Sequence, residues 1–313
     1  MSDELKCWVV SDGRRGIENQ ALGLAEALSS EKPLNIVIHK VSRKGLRAKF
    51  PVIFQRWFGR KDKLPEDLPE IAIGCGRRAI PVLLKLRKRG VFTVYIQDPR
   101  IDPAAFDLVI APEHDNLSGA NVFSIIGSPN RVTAERLEMD KDLILAPSEK
   151  MAAFLIGGTS KAHRYTEEIF DQHIQLIDQL IKGGWQVCIT VSRRTPAFAT
   201  ETFATYAEDH ETVSFHAGVV ENPFFAYLYH ADMIFVTEDS TNMLTEACST
   251  GKPVFRLPME GYHGKFQTLY DALEKRCHLR PATTSDLTGK EYPPLQESKR
   301  AADFIWTQYA ANR

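Results

Sequence analysis

Short apolar runs alternate with longer segments whose apolar positions recur every three to four residues, from one end of the chain to the other. In the first half, KCWVVSDG, LNIVIHKV, EIAIGCG, VFTVYIQD, DLVIAPE and NVFSIIG predict strands. IENQALGLAEALSS and RAIPVLLKLRKRG carry helical periodicity between them. The pattern restarts after the charged stretch 135–150. AAFLIGG predicts a strand, TEEIFDQHIQLIDQLIKGG a helix and WQVCITVS a strand. The alternation continues through PAFATETFATYAEDH, VSFHAG, PFFAYLYHA, MIFVTED and KPVFRLP to FQTLYDALEKRC, and a last helix around Gln296–Ala311 follows the linker-like PATTSDLTGKEYPP. Such alternation is the mark of parallel α/β sheets. The expected fold is α/β, two doubly wound Rossmann-like domains facing across a cleft. They are placed at residues 1–145 and 146–290, with a terminal helix in 291–313 packing back on the first. Ligands of such sheets lie beyond the carboxyl ends of the strands, which directs attention to the loops after each strand.

The chain has 313 residues, enough for two ordinary domains, with 43% apolar and 25% charged residues. A formal net charge of −1 argues against a general nucleic-acid binder. No apolar run approaches the roughly 20 residues that span a bilayer, and MSDELKCWVV has no secretory pattern. The five cysteines, Cys7, Cys75, Cys188, Cys248 and Cys277, are far apart and suit neither a disulfide framework nor a zinc site. A reducing cytoplasm is the expected compartment, and neither metal nor cofactor is expected.

Three strand-end loops have the chemistry to hold an anion. Ser11-Asp12-Gly13-Arg14-Arg15-Gly16 leads from the first strand into a helix, with two glycines that let backbone approach a ligand. Gly157-Gly158-Thr159 repeats the logic after the first strand of the second domain. Ser192-Arg193-Arg194-Thr195-Pro196 places two guanidinium forks before a helix that proline opens. A fourth stretch, FVTEDSTNMLTEACSTGKPVF, enters a helix through Asp239, Ser240, Thr241 and Asn242 and leaves it through Gly251-Lys252-Pro253. Asp239 or Ser240 can cap that helix, and its positive end can hold a diphosphate. Glu246, two turns on, can accept the paired hydroxyls of a ribose. Inward-pointing Glu238 and Asp239 would oppose an anion there.

Thr237-Glu238-Asp239-Ser240, Glu246-Ala247 and Thr250-Gly251-Lys252-Pro253-Val254 resemble the nucleotide-sugar signature of GT-B glycosyltransferases, among them the lipid-linked N-acetylglucosaminyl transferases of cell-wall synthesis. That resemblance implies that Glu246 grips the ribose and that His263, Lys265 and Gln267 lie in the donor-sugar zone. Asp12-Gly13-Arg14 with Glu18-Asn19-Gln20, Gln97-Asp98-Pro99-Arg100, Ser192–Pro196 and Glu246–Pro253 resemble the mitochondrial fission family across nearly the whole chain. That family was named for plant mutants with elongated mitochondria. It has bacterial members, some labelled nucleoside-diphosphate-sugar epimerases, and its plant role is recruitment of fission machinery.

Two features point elsewhere. Gly74-Cys75-Gly76-Arg77-Arg78-Ala79 matches the dinucleotide G-x-G-x-x-A pattern, with Asp98 at the end of the next strand, but it follows the third strand, not the first. Residues 40–63 hold nine Lys/Arg against the single acid Asp62, with Leu46, Phe50, Phe54, Trp57 and Phe58 at near-helical spacing. Such a segment suits peripheral contact with an anionic membrane, or a helix packed on the sheet.

The expected activity is metal-independent transfer from a nucleotide-diphosphate sugar to an acceptor, lipid-linked or at a membrane surface. Asp98 and Asp12 are the candidate general bases. A non-catalytic membrane scaffold and a nucleotide-sugar epimerase are the alternatives.

Overall fold

A computed structural model of the chain describes residues 4–41, 64–144, 147–218, 222–261, 264–283 and 286–312. The basic aromatic stretch 42–63 and His263 lie outside the described residues. The chain divides into two compact units, residues 1–131 with 296–313, and residues 132–295.

The first unit is a six-stranded parallel sheet of β1 (Leu5–Ser11), β2 (Leu34–Lys40), β3 (Ile71–Cys75), β4 (Phe92–Ile96), β5 (Leu108–Pro112) and β6 (Val122–Ile125), in the order β2-β1-β3-β4-β5-β6. β3, β4 and β5 are buried at every residue, as strands covered on both faces must be. Successive side chains of β1 serve opposite faces. Cys7 and Val9 pack with α1 (Arg15–Glu31), and Trp8 and Val10 with α2 (Ile80–Arg87). The terminal helix α9 (Glu297–Ala311) completes the first face. Its Ala301, Ala302, Ile305 and Trp306 are buried against α1, and Trp306 Nε1 donates to the Leu28 carbonyl at 3.2 Å. Buried Glu297 fixes the helix start by accepting the Ile126 amide at 2.8 Å and pairing with Arg300 at 2.6 Å.

The second unit repeats the plan with β7 (Met151–Ile156), β9 (Gln186–Val191), β10 (Val213–His216), β11 (Met233–Thr237), β12 (Val254–Leu257) and the short β14 (Arg280–Pro281), in the order β10-β9-β7-β11-β12-β14. Phe154, Phe235 and Phe255 stack across β7, β11 and β12 with ring centroids 4.6 and 5.0 Å apart. The apolar stripe of α4 (Glu167–Lys182) and Phe203 of α5 (Ala197–Asp209) close this core. The remaining helices are α3 (Ala134–Asp140), α6 (Phe224–His230), α7 (Thr241–Cys248) and α8 (Phe266–Cys277).

Three details depart from the pattern-based reading. The charged stretch 135–150 contains α3, which Thr133 caps by accepting the Arg136 amide at 3.1 Å and which an Arg136–Asp140 pair at 2.8 Å supports. With only Leu137 buried, it lacks a readable apolar stripe. Pro196 sits at the cap of α5, one residue before the helix, not inside it. The two-residue strands β8 (His163–Arg164) and β13 (Glu260–Gly261) pair antiparallel and are too short to show periodicity.

Candidate functional site

In the second sheet the chain leaves β7 toward β9 on one side and continues from β11 to β12 on the other, so β7/β11 is its topological switch point. The turns beyond these strands are packed closely, the backbone of one against side chains of the other. Gly157 N donates to Thr237 Oγ1 at 2.6 Å, and Gly158 N to Asp239 Oδ2 at 3.0 Å. A methyl group on Gly157 would overlap the Asp239 carboxylate; one on Gly158 would overlap the Arg194 carbonyl and lie 2.5 Å from Thr195 N. Glycine is required here by close approach, since neither residue has a positive φ.

The β9 turn closes against this pair. Ser192 Oγ accepts the Arg194 amide at 3.1 Å, and Thr195 Oγ1 donates to the carbonyls of Ile156, at 3.3 Å, and Gly157. Arg194 Nη2 reaches Asp239 Oδ2 at 2.7 Å. Arg193 is exposed, with no ion pair among the described residues. Thr159, also exposed, accepts the Tyr165 amide at 3.2 Å.

The acids entering α7 are both buried and paired with arginines. Glu238 is buried, pairs with Arg256 and accepts the Met259 amide at 2.7 Å. The Asp239 side chain is fully buried beneath the glycines. Burial raises its pKa above the usual carboxylate value against the opposing pull of Arg194 and Gly158 N. Ser240 is the cap, accepting Met243 N at 3.4 Å. Thr241 and Asn242 form the half-buried first turn. Glu246 is half-buried, has no hydrogen bond or ion pair from its carboxyl among the described residues, and burial pushes its pKa up to about 8.

Lys265 and Gln267 lie exposed at the start of α8. Lys265 stands over the Phe266 ring, and Gln267 donates to Asp271 at 2.7 Å. Tyr270 of α8 ties this helix to the strand end by donating to the Glu238 carbonyl at 2.8 Å. Arg256, Tyr270 and buried His163, whose Nε2 lies 3.4 Å from Tyr270 Oη, were not singled out by sequence. No local spacing links them to residues far away in the chain.

The exit of α7 has a structural explanation. Gly251 adopts φ 79°, and Lys252 Nζ reaches back to cap α6 through the Leu228 carbonyl at 3.0 Å and that of Tyr229. This part of the nucleotide-sugar signature is helix punctuation.

The first sheet has its own switch point at β1/β3. Asp12, its side chain 2% exposed, receives Arg14 Nε at 3.1 and 3.0 Å and Arg14 Nη2 at 2.9 Å, with Arg78 Nε at 3.9 Å. Burial raises its pKa, but hydrogen bonds and charge from Arg14, with Arg78, outweigh that and hold it below the usual value. Gly13 has φ 79°, and Gly16 lies in the exposed first turn of α1. Asp98, beyond β4, accepts Arg100 N at 2.7 Å and pairs with Arg100 Nε at 3.0 Å. Gln97 and Arg100 flank this turn at φ 78° and 59°, a strained conformation for side-chain-bearing residues. Gln97 Nε2 and Cys75 Sγ both reach Gln20 Oε1, at 3.0 and 3.4 Å.

The structure therefore assembles Gly157, Gly158, Ser192, Arg194, Asp239 and Ser240 at one strand edge. It assembles Asp12, Gly13 and Arg14 at the other unit's equivalent edge, where Arg78 joins them. A cavity of about 430 Å³ lies elsewhere, at the amino ends of β3 and β4. Its Glu70 and Asp107 are engaged by Lys6 N and by Thr93 with Arg87, which suits a packing void better than a reaction site. Among the described residues no group of three or more His, Cys, Asp or Glu could hold a metal ion, and no helix is long and apolar enough to cross a membrane.

Two Rossmann-like units with polar loops at the strand ends define a GT-B-like protein. The putative UDP-N-acetylglucosamine 2-epimerase of Listeria monocytogenes is similar in fold, with TM-score 0.59 and 12% identity, over 98% of this chain and 96% of that one. The Methanocaldococcus jannaschii UDP-GlcNAc 2-epimerase, solved with UDP-GlcNAc and UDP, has TM-score 0.55 and 9% identity over 97% and 99%. At such identities the likeness is one of fold. The chain belongs to the mitochondrial fission ELM1 family, whose profile matches residues 15–309. It is 27% identical over 278 residues to the mitochondrial fission protein ELM1 of Arabidopsis thaliana, a match covering 79% of this chain and 65%, just under two-thirds, of the plant protein.

Proposed function

We propose that the protein binds a nucleotide-diphosphate sugar at the β7/β11 strand ends and transfers the sugar to an acceptor without a metal ion. The observation that carries this reading is the disposition of Glu238 and Asp239. Both carboxylates are buried and each is paired with an arginine, Glu238 with Arg256 and Asp239 through Oδ2 with Arg194, which offsets their charge at the start of α7. The helix end, Ser240, Thr241 and Arg193 then receive the diphosphate and neutralise it as it leaves. Glu246, without a protein partner among the described residues, accepts the ribose hydroxyls. Lys265 and Gln267 serve the sugar.

In the transfer step an acceptor hydroxyl attacks the anomeric carbon. A base takes its proton, and the bond to the diphosphate breaks with the electron pair going to the leaving group. Asp12, whose pKa Arg14 and Arg78 hold below the usual carboxylate value, is a weak proton acceptor, which leaves Asp98 as the candidate base. A lipid-linked or membrane-surface acceptor suits the basic aromatic composition of residues 40–63. Family membership favours a second reading, a non-catalytic recruitment factor on the same fold.

The deciding experiment is a thermal-shift scan of nucleotide-sugars against the whole protein and Glu246→Ala, since a ligand of the folded state must raise its stability. A shift for one donor class, lost in the variant, supports the site. No shift at millimolar concentration defeats it. Product formed from the donor with no acceptor present would replace transfer by epimerisation.

A further inference from the structure

The turns that follow β1 and β3 carry Arg14, Arg77 and Arg78 against the single carboxylate of Asp12. Asp12 is one carboxylate shared between two guanidiniums, those of Arg14 and Arg78. Arg78 Nη1 is buried and has no hydrogen-bond partner among the described residues, while the side chain as a whole is 38% exposed. A buried charged N–H without an acceptor is costly, and a ligand oxygen would relieve that cost. Arg77, the preceding residue, is exposed and has no ion pair among the described residues. Arg77 adjoins Arg78 in the turn that follows β3. Asp98 is paired with Arg100, and Glu18 accepts a hydrogen bond from Ser11 Oγ at 2.6 Å.

The turns leave room for an occupant. A methyl group built on Gly13 would meet nothing within 4 Å, so the turn beyond Asp12 is open. At Gly76, φ 81°, a methyl group would lie 3.3 Å from Arg14 Nη2, so glycine there makes space for the guanidinium.

We propose that Arg14 and Arg78, oriented by Asp12, form with Arg77 a phosphate-binding site at the β1/β3 switch point. Phosphate is favoured over a carboxylate ligand because it carries up to two negative charges and presents oxygens to several forks at once. The site shares Asp12, Gly13 and Arg14 with the strand-end loops read from sequence as candidates for the nucleotide-sugar reaction, but it uses none of Ser240, Thr241, Arg193, Glu246, Lys265 and Gln267, so it stands whether or not the β7/β11 site does. The phosphate belongs to a soluble ester or to a lipid headgroup.

The test measures binding of inorganic pyrophosphate to the full chain by calorimetry. Pelleting with phosphatidylcholine vesicles, with and without phosphatidic acid, runs in parallel. The variants are Arg77→Gln with Arg78→Gln, and Arg193→Gln with Arg194→Gln as the reference in the other unit. Binding about tenfold weaker or more in the first pair, with one class of site retained in the second, is the expected result. Arg77→Gln alone guards against misfolding, because Arg77 is exposed and supports nothing in the fold; it is expected to weaken binding by a smaller factor. Loss confined to acidic vesicles assigns a lipid headgroup, and loss confined to pyrophosphate assigns a soluble ester. Wild-type binding by the Arg77/Arg78 pair in both arms overturns the site, as does equal competition by acetate. A nucleotide-sugar shift that depends on Glu246 is read separately, so either proposal can fail alone.

Discussion

The two switch points share a topology and use their carboxylates in opposite ways. In the second unit Asp239 lies under the Gly157-Gly158 turn and holds backbone, with Arg194 laid across it. In the first unit Asp12 holds side chains, Arg14 and Arg78, and the Gly13 turn beyond it is open. Their proton affinities follow. At Asp239 desolvation prevails and the pKa rises; at Asp12 charged donors prevail and it falls. The difference teaches that a strand-end Asp can act as a latch for a loop or as an aligner for cations, depending on how many charged donors reach it.

Glycine substitution is the sharpest way to break the comparison. Gly158→Ala should cost about 2–4 kcal/mol, because the new methyl group meets fixed backbone. Gly13→Ala should cost only about 1 kcal/mol, the price of a positive φ in open space. Denaturant unfolding of the two variants measures this, and equal losses would remove the distinction between closed and open turns.

Asp12→Asn should destabilise the protein by about 1–2 kcal/mol at neutral pH. Because the folded pKa is lowered, that stabilisation is present above the unfolded value near pH 4 and lost as pH falls through the folded one. The deficit of the variant should therefore vanish in acid, as melting curves across pH would reveal. Asp239, with its pKa raised, contributes a slope of the other sign: its ionisation becomes a burden as pH climbs past the unfolded value.

Glu246 gives the next effect. Its raised pKa of about 8 means that the folded state holds a proton that the unfolded state has released, so stability declines as pH rises from about 4.5 to 8. Glu246→Gln should flatten that slope and leave the variant about 1–2 kcal/mol more stable at pH 8. A wild-type slope retained in the variant would assign it to another group. Ser240→Ala should have the smallest effect, roughly 0.5–1 kcal/mol, since its capping bond is long at 3.4 Å.

Much of the architecture was legible because strands buried on both faces read as unbroken apolar runs. IAIGC, FTVYI and MIFVT are each buried at every residue. Helix α4 and the end of α9 were legible through their periodic stripes. The α3 helix was not, because a charged surface helix with one buried leucine looks like a linker. At the candidate site, the strand-end rule located Gly157, Ser192 and Ser240, all of which adjoin strands in sequence. It did not find Arg78 beside Asp12 or Arg256 beside Glu238, because those pairs arise from strand neighbours, not chain neighbours.

Sequence alone was sufficient for the alternating elements, the helix punctuation and the family, because these depend on local spacing and residue type. Tertiary structure decided which arginine each acid pairs with, and hence that their charge is offset at the start of α7. It also decided that Asp12 is shared by two arginines. Orientation and pairing of charge depend on which strands lie side by side and how deeply each group is buried, and the chain order does not encode either directly.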